Sequence, residues 1–146
     1  MTSKTPCQTA PMPDYLQTFP NRHPERDYFV SFTCREFTTC PCPLTGRPDF
    51  ASLHIAYLPD RHIIKNASLV QYLATFKNHG DYHEDCINII LKDLVAWIAP
   101  KYIEIRGQFT PRSSIATHPY TNYGRPGTRY EVLADERLYA HAALPL

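Results

Sequence analysis

The sequence predicts an α+β fold, a small antiparallel sheet with two helices on one face, and three observations carry that prediction. Residues 27–34, 50–58 and 102–109 alternate, or concentrate β-branched and aromatic side chains, in the manner of strands. Between the second and third lies one block, residues 68–98, in which apolar residues recur at the 3.6-residue period of helices. The chain has 146 residues, enough for one core and one site and too few for two independent domains.

Pro6, Pro11, Pro13, Pro20 and Pro24 remove backbone donors and fix φ, so residues 1–26 read as an irregular arm and residues 27–146 as a single domain. Tyr28, Phe29, Val30, Phe32 and Thr33 make the first strand, which the prolines and glycine of residues 39–48 end. Residues 50–58 form the second, closed by Pro59 and Asp60. From Ser68 the period changes: Leu69, Tyr72, Leu73 and Phe76 share a helical face, which Asn78, His79 and Gly80 terminate. Asp81 can cap a second helix, in which Cys86, Ile89, Ile90, Leu94 and Ile98 keep the period as far as Pro100. Residues 102–109 alternate strictly as a third strand, and residues 114–130 hold turns and at most a short fourth. The order β-β-α-α-β-β leaves sheet edges open. Joining copies removes such edges, so a ring-shaped homo-oligomer with sites between subunits is the expected completion.

Composition narrows the function. Fifteen basic residues against fourteen acidic ones give no field of one sign, so neither nucleic acid nor an anionic membrane is expected as a direct partner, and a small molecule is. No apolar run reaches the roughly 20 residues of a membrane span, and the opening 13 residues lack the apolar centre of a signal peptide, which points to the cytoplasm. Five cysteines at irregular spacing form no disulfide framework. The C-x5-C-x-C spacing of Cys34, Cys40 and Cys42 matches no zinc knuckle, so no metal is expected.

Two clusters carry chemistry. In Cys40-Pro-Cys42-Pro-Leu-Thr-Gly-Arg-Pro-Asp49 a thiol sits in a stiff loop seven residues before a carboxyl group. A thiolate adds to an electrophilic carbon, and a nearby acid protonates the adduct; a buried structural cysteine is the competing reading. In Asn78-His-Gly-Asp-Tyr-His83-Glu84-Asp85 a carboxylate and imidazoles meet between the two helices. A carboxylate accepts two hydrogen bonds from the edge of a guanine-type base, and imidazole moves a proton; a solvated helix start is the alternative.

Cys42-Pro-Leu-Thr-Gly-Arg-Pro-Asp49-Phe, Phe76-Lys-Asn-His-Gly-Asp-Tyr-His83-Glu84-Asp-Cys-Ile-Asn, Gly107-Gln-Phe-Thr-Pro-Arg112 and Pro119-Tyr-Thr-Asn-Tyr-Gly-Arg-Pro-Gly127-Thr resemble successive blocks of the QueF family, the 7-cyano-7-deazaguanine (preQ0) reductases, in its short single-module form. Phe19-Pro-Asn-Arg-His and Arg26-Asp-Tyr-Phe-Val match as well, so the similarity runs over residues 16–138. The resemblance implies a tunnelling fold assembled as an oligomeric barrel. It also implies an oxidoreductase of queuosine biosynthesis, a tRNA modification pathway, that reduces a nitrile to a primary amine with two NADPH. Carried over, Cys42 forms a covalent thioimide with the nitrile, Asp49 protonates its nitrogen, and His83 binds substrate and assists proton transfer. Glu84 holds the pyrimidine edge, Ile64, Lys65 and Asn66 complete the substrate contacts, and Lys65 and Arg112 serve the cofactor.

Three features depart from the family pattern. Its two lysines near the first helix are replaced by Ala67 and Val70, its paired glycines after Thr-Pro-Arg112 by Ser113 and Ser114, and the spacing to Cys42 is one residue longer, adding Cys40. Two alternatives follow: a thioimide-forming relative that adds ammonia or water in place of hydride, and a non-catalytic deazaguanine-binding protein.

Overall fold

The computed structural model of the chain describes residues 11–39, 49–79, 82–111 and 114–142. Its main sheet has the strand order β2 (Val30–Thr38), β3 (Phe50–Leu58), β5 (Tyr102–Phe109), β6 (Tyr120–Gly124), every neighbour antiparallel. A two-stranded ribbon pairs β1 (Thr18–Pro20) with β4 (His62–Ile64). Among the described residues there are three α-helices, α1 (Asn66–Ala74), α2 (His83–Ile98) and α3 (Arg129–Ala142), and two 3-10 turns, Pro13–Tyr15 and Thr75–Asn78.

The alternation read in the sequence builds the core. Leu53, Ile55 and Tyr57 of β3 and Ile103 and Ile105 of β5 point to one face, where they meet Leu69, Tyr72, Leu73 and Phe76 after them in the chain and Cys86, Ile90, Leu94 and Ile98 of α2. Full burial of each such side chain contributes about 1.5–3 kcal/mol of transfer free energy. The Tyr72 hydroxyl donates to Asp93 at 2.5 Å, which ties α1 to α2. Gly107 lets β5 approach α2 closely, because a Cβ there would lie 2.8 Å from the Phe109 ring and 3.2 Å from Ile87.

Four features differ from the expectation. The arm, described from residue 11, holds a short 3-10 turn (Pro13–Tyr15) and β1, and Leu16 is buried in the core. Polar anchoring supplies the reason: Asn21 donates to the Asp60 carbonyl and accepts from the His23 amide and the Tyr28 hydroxyl. Second, β2 continues past Cys34 to Thr38, with a register irregularity between Cys34 and Phe37 that relieves the pairing. Third, α2 begins at His83 with Tyr82 as its N-cap; Gly80 and Asp81 lie outside the described residues.

Fourth, α3 is a third helix, and it lies on the other face of the sheet. Its Ala134 and Leu133 pack with Leu58 and Tyr102, and its Arg137 contacts Glu104 at 2.5 Å. The Glu104 carboxylate also accepts from the Tyr120 hydroxyl at 2.5 Å, and Asn122 donates to the Ala134 carbonyl. At the start of α3, Asp27 receives Lys101, Arg129 and the Tyr130 hydroxyl. Gly124 permits the close approach, since a Cβ there would lie 1.9 Å from the Tyr130 carbonyl oxygen. This coverage explains why β5, read as half-buried, has Tyr102 and Glu104 buried as well.

Candidate active site

The two clusters read from sequence meet in space. Asp49, at the mouth of β3, and His83, the first residue of α2, approach within 3.1 Å between Oδ2 and Nε2, and their side chains are only 6% and 13% exposed. The Asp49 backbone carbonyl accepts from the Thr39 amide, which ties the end of β2 to the start of β3. The His83 ring lies flat on Phe109, with centroids 4.0 Å apart and planes 9° from parallel. Phe109 meets Phe37 edge-on, Phe37 packs on Phe76, and Phe76 takes His79 against its ring. An aromatic floor of this kind fixes an imidazole and offers flat surface to a planar ligand.

Although Asp49 is near, the His83 Nε2 has no aligned hydrogen-bond partner among the described residues. A buried ring nitrogen in that state keeps its hydrogen-bonding capacity. A carboxyl and an imidazole at this distance can share a proton and present it to a group seated beside them.

The remaining expected residues are spread around this pair. Glu84 follows His83 in the first turn of α2, exposed, its main-chain carbonyl accepting from Asn88. The Ile64 side chain is committed to the core and its amide donates to the Tyr57 hydroxyl, whereas Lys65 and Asn66 are exposed where α1 begins. Lys65 is the N-cap of α1, whose first turn carries no acidic residue. Cys42 and Arg112 lie outside the described residues, as does Cys40. A groove of about 600 Å³ runs between β2 and α1, with Asn66, Val70 and Lys77 on one bank and Arg35 and Thr38 on the other. The sequence motifs assign no role to Phe109 or Arg35. An aromatic residue two positions after Gly107, at a strand end, was the available signal for the first, and none marked the second.

Residues 48–128 match the family described as QueF-like protein, more than half of the chain. The chain belongs to that family. Similar QueF-like relatives include the NADPH-dependent 7-cyano-7-deazaguanine reductase of Neisseria meningitidis serogroup B, 54% identical over 140 residues, covering 96% of this chain and 88% of that protein. The Bacillus subtilis protein of the same name is 54% identical over 133 residues, covering 91% of this chain and 80% of that protein. Among solved structures, the archaeosine synthase QueF-Like in its apo form aligns with a TM-score of 0.60 at 14% identity, covering 66% of this chain and 93% of that one. It shares the fold. Among the described residues, no helix is long and apolar enough to cross a membrane.

Proposed function

We propose that this chain is an NADPH-dependent oxidoreductase that reduces the nitrile of 7-cyano-7-deazaguanine to an aminomethyl group, in queuosine biosynthesis. The observation that carries the reading is 54% identity over 96% of the chain to a reductase named for that reaction. The net change is one nitrile, two NADPH and two protons giving one amine and two NADP+.

In this reading the Cys42 sulfur bonds to the nitrile carbon, one C–N π bond breaks, and the nitrogen takes a proton from Asp49. His83, stacked on Phe109 and 3.1 Å from Asp49, orients the nitrogen and relays the protons. The covalent step replaces a linear nitrile with a bent imidate, a better acceptor. When bound, NADPH would supply the two hydrides that the former nitrile carbon needs; between them the C–S bond breaks, and Cys42 leaves as the thiolate. Glu84 accepts the two donors of the pyrimidine edge, with Ile64, Lys65 and Asn66 along the neighbouring wall. Lys65 suits the cofactor phosphates because it is exposed at a helix start free of acidic residues, so side-chain charge and helix dipole act together. Arg112 joins it, and Lys77 in the adjoining groove offsets part of the charge absent at Ala67 and Val70.

We further infer a cytoplasmic, ring-shaped homo-oligomer of the tunnelling fold, with residues 27–146 as the catalytic domain and sites between subunits. Support comes from β2 and β6, the outer strands of the sheet, and from Glu84, exposed in a single chain although its role calls for a dry pocket.

The test is NADPH oxidation by the purified chain with 7-cyano-7-deazaguanine, with product mass read in parallel. Aminomethyl product at two NADPH per nitrile supports the reading. The replacement of both lysines favours one rival: a protein that forms the Cys42 adduct, leaves NADPH untouched and releases an amidine or amide belongs to a non-reducing relative. Formation of no adduct points to the binding protein.

A further inference from the structure

On the sheet face turned away from α1 and α2, the strand register places Thr33, His54, Arg106 and Tyr120 in one row across β2, β3, β5 and β6. Ser31, Ala56, Glu104 and Asn122 form the next row. Small Ala56 leaves a depression between them of about 250 Å³, lined by Ser31, Thr33, His54, Glu104, Arg106 and Arg137 among others. Glu104 is the sole carboxylate among the lining residues, and both its oxygens are taken, one by Arg137 and one by the Tyr120 hydroxyl. Arg106 lies with its guanidinium carbon 5.7 Å from the centre of the Tyr120 ring, and no carboxylate pairs with it among the described residues. The hydroxyls of Ser31 and Thr33 and the imidazole of His54, 3.5 Å from Thr33 Oγ1, complete a wall of donors.

We propose that this depression binds a small oxyanion of the phosphate class. Arg106 supplies a fork of N–H donors that matches two oxygens of a tetrahedral anion, and the ring of Tyr120 holds the guanidinium in place. Ser31, Thr33 and His54 donate to the remaining oxygens, while the Arg137 clamp keeps Glu104 from neutralising Arg106. The site is distinct from the Asp49–His83 pair, because His83 stacks on Phe109, which belongs to the core on the opposite face.

Calorimetric titration of the full chain with inorganic phosphate at low ionic strength tests the proposal, beside uridine monophosphate and acetate. Saturable phosphate binding is expected, weakened by at least about tenfold in Arg106→Gln and also weakened in His54→Gln, with acetate weaker than phosphate. Asp49→Asn should leave phosphate binding unchanged, and 7-cyano-7-deazaguanine should not compete. Tighter binding of the nucleotide than of phosphate assigns the anion to a nucleotide phosphate; equal or weaker binding assigns it to the free ion, and either supports the site. Thermal melts check both variants for folding, and His54→Gln carries the test if Arg106→Gln does not fold. No binding by the wild-type chain, undiminished binding in the folded variants, or competition by the deazaguanine overturns the proposal.

Discussion

The two faces of the main sheet are held by different physics. Toward α1 and α2 the contacts are apolar and continuous: Leu53, Ile55, Tyr57, Ile103 and Ile105 have at most 1% of their surface exposed. Toward α3 the contacts are mostly directional, with Glu104 between Arg137 and Tyr120, Asn122 on the Ala134 carbonyl, and Asp27 gathering Lys101, Arg129 and Tyr130. Non-directional burial scales with area and makes a rigid platform, and the Asp49–His83 pair stands at the rim of that platform. Hydrogen-bonded ion pairs near solvent contribute less each but fix geometry. The Asp49–His83 pair therefore sits on the face whose packing tolerates least movement.

The largest expected effect separates chemistry from stability. Asp49→Asn should lower the rate of nitrile reduction by about 10²–10⁴-fold, the usual worth of a positioned acid. Glu104→Gln, on the other face, should leave turnover near wild type; an equal loss in both variants would break the division. Next, Ile105→Ala should cost about 2–5 kcal/mol in urea unfolding, because the closed core cannot collapse around the missing atoms. Glu104→Ala should cost less, about 1–3 kcal/mol, since it strands the Tyr120 hydroxyl while the half-exposed Arg137 regains water. If the two losses are reversed in order, the polar face is the main source of stability.

The smallest effect is a pH dependence at the start of α3. Burial pushes the Asp27 carboxyl up, but the Tyr130 hydroxyl, Lys101 and Arg129 outweigh it and hold the group below its ordinary 3.8. A carboxylate lowered by folding contributes stability that is fully present above 3.8 and is lost as pH falls through the lower folded value. Asp27→Asn should therefore melt below wild type at pH 7, and the gap should close in acid below pH 3.8. A gap that stays constant with pH would mean that Asp27 acts through packing rather than charge.

The apolar face is legible in the amino-acid pattern. Leu69, Tyr72, Leu73 and Phe76, and the Cys86 to Ile98 series, lie where their periods put them, and β3 and β5 have the bounds read from alternation. The sequence motifs also name Asp49 and His83 as candidate catalytic residues, each in its own cluster. Three features depend on contacts between distant segments. β4 is three residues long and exists only because β1 pairs with it, so no local period marks it. α3 shows a weak apolar stripe because its attachment runs through Arg137, Asp27 and the carbonyl of Ala134, polar contacts that have no period in sequence. The 3.1 Å approach of Asp49 to His83 depends on where β3 and α2 begin in space, 34 residues apart in the chain, and the packing of α2 on the sheet sets that distance.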